Sequence, residues 1–207
     1  MCCSLEGAVP DMLWIMLGCA AFVLFFFYDI AGATGRFYPF RIGFAAGCLL
    51  LLSSTAGLVW QGLWGRHIVW PVFFIFTLLA FLFLVLLVYT LFFALPFHDT
   101  YIHGTTAPSL CRSGVYALCR HPGVLWLSGF YLCRYAALGT RMLLAAFVVF
   151  TLFDIAYVVF QDRWSFPKQF PEYDDYRQST PFLLPNVRSI RQCVRTWRGT
   201  GDGSHEV

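Results

Sequence analysis

Long apolar runs broken by short polar connectors organise this chain. The first run spans about Met12 to Tyr28, the second about Ile42 to Trp60, and the third about Ile68 to Phe97. A polar stretch follows, and then two further runs, from about Pro122 to Leu138 and from about Thr140 to Phe160. Such continuous runs match helices that cross a bilayer, which takes about 20 apolar residues each. Strands of a membrane barrel would alternate apolar and polar positions instead. The pattern predicts an all-α integral membrane bundle of about five transmembrane helices, followed by a C-terminal segment. The third run is longer than a bilayer needs and should tilt or protrude. Pro122 suits the first turn of a helix, where its missing N–H costs nothing. Gly139-Thr140 leaves room for a tight turn, so the last two spans form an antiparallel hairpin.

Composition agrees with this pattern. Of 207 residues, 59% are hydrophobic and 12% charged, and Phe alone occurs 23 times. A water-soluble domain of this size has too much surface for its volume to hide that much apolar area. One membrane domain is expected, with N-terminal spans over 12–106, a polar-bearing core over 107–186 and a basic tail over 187–207. The start, Met1 to Glu6, has no basic n-region, so the first span is expected to act as an uncleaved anchor. The eight cysteines are scattered, and none forms a CxxC pair near a histidine, so no metal site is expected. His98, Asp99 and His103 are too few and too loosely spaced for a metal and read as a solvated loop.

The net charge of +3 lies mostly in the tail. Arg188, Arg191, Arg195 and Arg198 recur every three or four residues, with Ile190 and Trp197 between them. That spacing reads as a basic helix on an anionic membrane surface. Nucleic acid is not an expected partner, because the tail is short and has no stacking platform beyond Trp197. Five spans put the termini on opposite sides. Arg36, Arg41, Arg112, Arg120 and the tail then share one side, against Arg66, Arg134 and Arg141 on the other. The richer side should be cytoplasmic. Arg134 should snorkel to the far interface.

Two polar islands flank the terminal hairpin. The first is Ser113-Gly114-Val115-Tyr116-Ala117-Leu118-Cys119-Arg120-His121-Pro122, and the second runs from Gln161 to Tyr176. Arg and His beside lipid need a reason to be there. The hairpin returns the chain to the side it left, so the two islands can build one site. Asp154 lies inside the fifth span, with Tyr157, Gln161 and Asp162 following at helix-face spacing. An intramembrane carboxylate reads as functional, or as a hydrogen bond between spans. Tyr173 and Tyr176 read equally as site residues or as an interfacial aromatic belt.

The first island, with Gly-x-Tyr followed by Arg120-His121-Pro122, resembles the motif of the isoprenylcysteine carboxyl methyltransferase family, which takes in phospholipid methyltransferase-like proteins. After the hairpin, Gln161-Asp162-Arg163, Phe170 to Tyr176 with its Tyr-x-x-Tyr, and Pro181-Phe182-Leu183-Leu184-Pro185 resemble that family's second element. The resemblance covers about Ala107 to Asn186. It implies S-adenosylmethionine as cofactor and methyl transfer to a lipid-like or prenylated acceptor. It implies a cofactor site of Gly114, Tyr116, Arg120, His121, Pro122, Gln161, Asp162, Tyr173 and Tyr176; Arg120 and Asp162, together with the intramembrane carboxylate Asp154, are the candidate catalytic residues. Arg120 and His121 would meet the cofactor's carboxylate, and Asp162 or a backbone carbonyl its ammonium. Tyr116, Tyr173 or Tyr176 would line the adenine slot. The family's acidic pair is reduced to a single carboxylate, as Gln161-Asp162 or Asp162-Arg163. A carboxylate acceptor needs no general base and is favoured over an amine, which must first lose a proton. Two alternatives stand beside this reading. One is an NADPH-dependent reductase similar to the steroid 5-alpha-reductase group, which shares Arg-His-Pro. The other is a non-enzymatic membrane subunit on the same scaffold.

Overall fold

The computed structural model describes residues 8–34, 41–64, 68–94 and 110–199. Cys2, Cys3 and the His98–His103 loop lie outside them. Among the described residues the chain is all-helical. Helix α1 is Ala8–Ala33, α2 is Arg41–Leu63, and α3 is Trp70–Val88 with a π turn, Tyr89–Phe93, at its end. After a single helical turn α4 (Val115–Leu118) come α5 (Pro122–Leu138) and α6 (Arg141–Phe160). A second π turn, Gln161–Ser165, leads into the short helices α7 (Phe166–Gln169) and α8 (Tyr173–Ser179), and α9 (Val187–Gly199) ends the described chain.

Four of these stretches are long and apolar enough to cross a membrane: Met12–Ala33, Ile42–Leu63, Trp70–Phe93 and Arg141–Gln169. The protein is therefore an integral membrane protein with a helical bundle. The expected fourth span, α5, has 17 residues. Its rise is about 25 Å, short of the roughly 30 Å hydrocarbon core. It is packed lengthwise against α3 and α6.

The contacts fix the directions. Ser54 in α2 donates to the Trp14 carbonyl toward the start of α1 at 2.6 Å, and Phe44 near the start of α2 meets Tyr28 toward the end of α1, so those helices are antiparallel. Along α1 and α6, Phe22 meets Phe150 and Phe153, and Phe26 meets Tyr157 and Phe160, so these two run in parallel. On α3 and α5, Trp126 reaches Thr90 while Arg134 reaches Thr77, which makes them antiparallel. The expected α5–α6 hairpin is present. Gly139 takes φ +63° after the last turn of α5, and the Thr140 hydroxyl accepts from the Leu143 N–H to cap α6. The ends of α1, α3 and α6 and the starts of α2 and α5 thus gather at one end of the bundle.

Phe22, Leu58, Tyr131, Leu143 and Phe150 are the large buried side chains of the core. Helix α3 sits at the periphery and buries Ala80 alone among its residues, leaving Phe74, Leu78, Phe81 and Leu82 exposed. Hydrocarbon, not water, suits that surface. Arg134 departs from expectation. It is buried, donates to Thr77 Oγ1 at 3.0 Å, and holds its guanidinium over the Phe73 ring. A partner within the α3–α5 contact replaces the snorkel to the interface.

Close helix approach rests on glycines. A methyl on Gly18 would fall well inside contact with the Phe150 ring, which is fully buried and has nowhere to move, whereas Gly43 has open space around it. Overpacking of this kind costs about 1–3 kcal/mol, against a helix-propensity gain of about 1 kcal/mol for Ala over Gly. Gly18→Ala should therefore lower the melting temperature in detergent, and Gly43→Ala should hold or raise it.

Candidate functional site

The connector into α5 is shaped by Gly114, whose φ of +59° and ψ of −130° suit a residue without a side chain. The chain then makes the α4 turn, extends through Cys119, and enters α5 with Pro122 in the first turn. In the extended part the Arg120 N–H donates to the Pro181 carbonyl at 2.9 Å and the His121 N–H to the Phe182 carbonyl at 3.3 Å. Pro181-Phe182, just ahead of Leu-Leu-Pro, is thereby laid against Arg120-His121. Tyr116 and Tyr176 add two more ties. The Tyr116 hydroxyl donates to the Thr90 carbonyl at 2.9 Å, and the Tyr176 hydroxyl to the Tyr116 carbonyl at 2.6 Å.

The second island opens with the π turn. Pro167 has no N–H, and its ring would clash with the Arg163 carbonyl in a regular helix. Widening to a π turn over Gln161–Ser165 avoids this and rotates the following residues. Gln161 faces α1 and donates to Asp29 Oδ2 at 2.7 Å. Asp162 faces the connector.

Asp162 is the hub. Its Oδ1 accepts from Arg120 Nη1 at 2.5 Å and from the Tyr173 hydroxyl at 2.6 Å, and lies 3.4 Å from His121 Nε2. Arg177 Nε stands 3.5 Å from Oδ2. The Arg120 and Asp162 side chains are 8% and 6% exposed, so this is a buried ion pair. Phe182 packs edge-on to His121 and lies under the Arg120 guanidinium, and Phe166 stacks on the imidazole. Burial holds the His121 pKa below its ordinary value, with Asp162 opposing the shift. Burial and the Asp162 charge both raise the Tyr173 pKa, so its hydroxyl stays a donor. The Cys119 thiol is pushed up to about 12, chiefly by burial, and stays protonated.

A groove of about 560 Å³ opens beside this hub, with Arg120, Arg177, Arg188, Ser179, Thr180 and Asn186 in its walls. Arg120 Nε is buried and has no acceptor in the protein. The groove gathers three guanidinium groups against the one carboxylate of Asp162, and that excess suits an anionic ligand.

The structure brings together Arg120, His121, Asp162 and Tyr173, with Gly114, Tyr116, Pro122 and Tyr176 bracing the connector around them. Tyr173 and Tyr176 are buried, not displayed as a belt. Gln161 is drawn away to Asp29. Asp154 is eight residues before Asp162 on α6, roughly 12 Å of helix rise from the hub. Asp162 was expected to face the ammonium of a ligand, yet its near oxygen is taken by protein donors. Arg177 and Phe166 were not singled out from the sequence, whereas Arg188 was read there only as part of the basic tail and Phe182 only as part of the second element. Arg177 directly follows the Tyr-x-x-Tyr, where a basic residue was the available signal. Among the described residues no group of three or more His, Cys, Asp or Glu side chains could hold a metal ion.

No family model matches the chain, and no solved structure matches it. Over 98 residues it is 30% identical to the nickel-cobalt-cadmium resistance protein NccN of Alcaligenes xylosoxydans xylosoxydans. The match covers 44% of this chain and 43% of that protein, so the chain spans less than half of that relative's length.

The His121 environment sets a pH dependence. Below the ordinary value of 6.5 the unfolded chain takes up a proton that the folded chain resists. Folding stability should therefore fall as the pH drops through and below that value. Thermal melts across this range should show the decline in the wild type and a flatter profile in His121→Gln.

Proposed function

We propose that this protein is a membrane-embedded, S-adenosylmethionine-dependent methyltransferase whose acceptor is lipid-like or prenylated and carries a carboxylate. The observation that carries the proposal is the meeting of Arg120 and His121 with Asp162 and Tyr173, from islands on either side of a hairpin, beside a groove rich in arginine.

The residues present fit the carboxylate of the cofactor, and its ammonium and sulfonium would be left to amide, hydroxyl and backbone carbonyl oxygens of the groove. Arg177 and Arg188 in the groove walls, with the Arg120 side chain whose Nε lacks an acceptor, would hold its carboxylate. Ser179, Thr180 and Asn186 offer hydroxyl and amide partners for its polar groups. When bound, it supplies a methyl group activated by a sulfonium. Asp162 acts as a positioning residue, holding Arg120, His121 and the Tyr173 hydroxyl in place. Alignment and exclusion of water dominate a displacement of this kind. Asp162 is engaged by donors and Asp154 is distant, so neither is free to deprotonate an ammonium. An acceptor that is already anionic suits both that lack and the charge of the groove. Arg112, Arg120, Arg163, Lys168, Arg177 and Arg188 lie at the groove end, against Arg134 and Arg141 toward the other. That bias favours a cytoplasmic groove and C-terminus.

The second reading is a part in resistance to nickel, cobalt or cadmium, which rests on the similarity to the protein of that name. Calorimetry and thermal shift on purified protein distinguish the readings. S-adenosylmethionine should bind, and Arg177→Gln with Arg188→Gln should weaken it by about tenfold or more, the worth of one charge-assisted contact. Absence of binding, or equal binding by the double variant, rejects the proposal. Stabilisation by NADPH alone favours the reductase, and by nickel, cobalt or cadmium alone the second reading.

A further inference from the structure

Helix α9 divides into three faces. Ser189, Cys193 and Thr196 turn toward the protein, where Ser189 is buried and the other two are half-buried. Val187, Ile190 and Val194 form an adjacent stripe at helix spacing and are 66%, 47% and 48% exposed. Arg188, Arg191 and Arg195 form the third face, also exposed. An apolar stripe bordered by arginines is the pattern of a helix lying in the boundary between headgroups and acyl chains. A soluble partner would leave unexplained why this helix sits where it does. It packs on α4, the turn that leads directly into α5, at the end of the bundle where the spans stop.

Two contacts link this helix to the candidate site. The Thr196 hydroxyl accepts from the Gly114 N–H at 3.0 Å, at the residue whose positive φ starts the connector to Arg120 and His121. At the other end of α9, Arg188 and Asn186 form part of the groove wall. Asn186 Oδ1 accepts from the Ser189 N–H at 2.8 Å and fixes that end of the helix. Whatever holds α9 in place therefore also holds the connector and one side of the groove.

We infer that α9 docks on an anionic bilayer leaflet, with Val187, Ile190 and Val194 in the acyl boundary and Arg191 and Arg195 on lipid phosphates, and that this docking braces the Arg120–His121 connector through Thr196 and Gly114. The occupant of the exposed face is the surface of the membrane that the bundle itself spans. Charge selects it, because Arg191 and Arg195 on that face have no acidic partner among the ion pairs of the described residues. The inference concerns lipid and local order, and it stands whether or not the groove takes S-adenosylmethionine.

The test uses the full chain in nanodiscs of phosphatidylcholine alone and of phosphatidylcholine mixed with phosphatidylglycerol, read by hydrogen exchange. Amides of 187–199 and of 111–118 should exchange more slowly in the anionic discs, and high salt should remove the difference. Arg191→Gln with Arg195→Gln, neither of which lines the groove, should cut the lipid-dependent protection by about tenfold or more. Val194→Glu should do the same by placing a charge in the apolar stripe. Thr196→Val should keep the lipid effect on 187–199 and lose it on 111–118. Equal exchange in the two lipids, or an unchanged double variant, overturns docking. Protection that follows the number of protein copies per disc, and not lipid charge, assigns the face to a second copy and also overturns it. A Thr196→Val protein with wild-type behaviour at 111–118 overturns the brace.

Discussion

The Asp162 carboxylate has been taken almost wholly out of water, and it is tolerated there because Arg120, His121 and Tyr173 converge on one of its oxygens. A buried pair of this kind adds little net stability over a well-packed apolar alternative, because desolvation offsets the attraction. Breaking it leaves an uncompensated charge and is costly. The pair therefore acts mainly on specificity. It allows one arrangement of the connector before α5 and the segment after α6, and penalises others. The aromatic clamp of Phe166 and Phe182 and the backbone bonds to Pro181 and Phe182 fit around that arrangement.

The membrane bundle supplies the setting. Parallel packing of α1 with α6 brings Asp29 and Gln161 to the same end, and the α5–α6 hairpin returns the chain to the end it left. Both islands are then neighbours before any side chain is chosen. The register of α6 turns Gln161 to α1 and the next residue, Asp162, to the connector, and the π turn at Gln161–Ser165 carries the chain on to Pro167. Helix α9 closes the arrangement from outside, with Thr196 on Gly114 and Arg188 on the groove.

Much of this could be read from the residues. Continuous apolar runs gave the helical bundle and the hairpin, because hydrophobic length is a direct consequence of bilayer thickness. The two islands were visible as polar residues where lipid disfavours them, and Arg120, His121, Asp162 and Tyr173 do meet. What the sequence hid was partner choice. Asp162 and Gln161 are adjacent, and the register of α6 decides which faces α1, since Gln161 continues the face on which Tyr157 meets Phe26. Pro167 was the local sign of the π turn, but which α6 face meets α1 depends on packing. Arg134 was misread because an arginine near a span end can snorkel or pair, and the choice depends on Thr77 and Phe73 across a helix contact. Arg177 was missed because its role comes from the groove, a feature of assembled elements.

The central claim is that the Asp162 charge holds the two islands together, and native-state hydrogen exchange of Asp162→Asn in detergent tests it most directly. The amides of Arg120 and His121, bonded to the Pro181 and Phe182 carbonyls, report one side, and those of α8 report the other. The account predicts that both lose protection together, by roughly 100-fold or more, the counterpart of the ~3–5 kcal/mol that an unpaired buried charge costs. Amides of the core around Leu58 and Phe150 should keep theirs. Full protection of the Arg120 and His121 amides in Asp162→Asn, or loss on one side alone, would contradict the account.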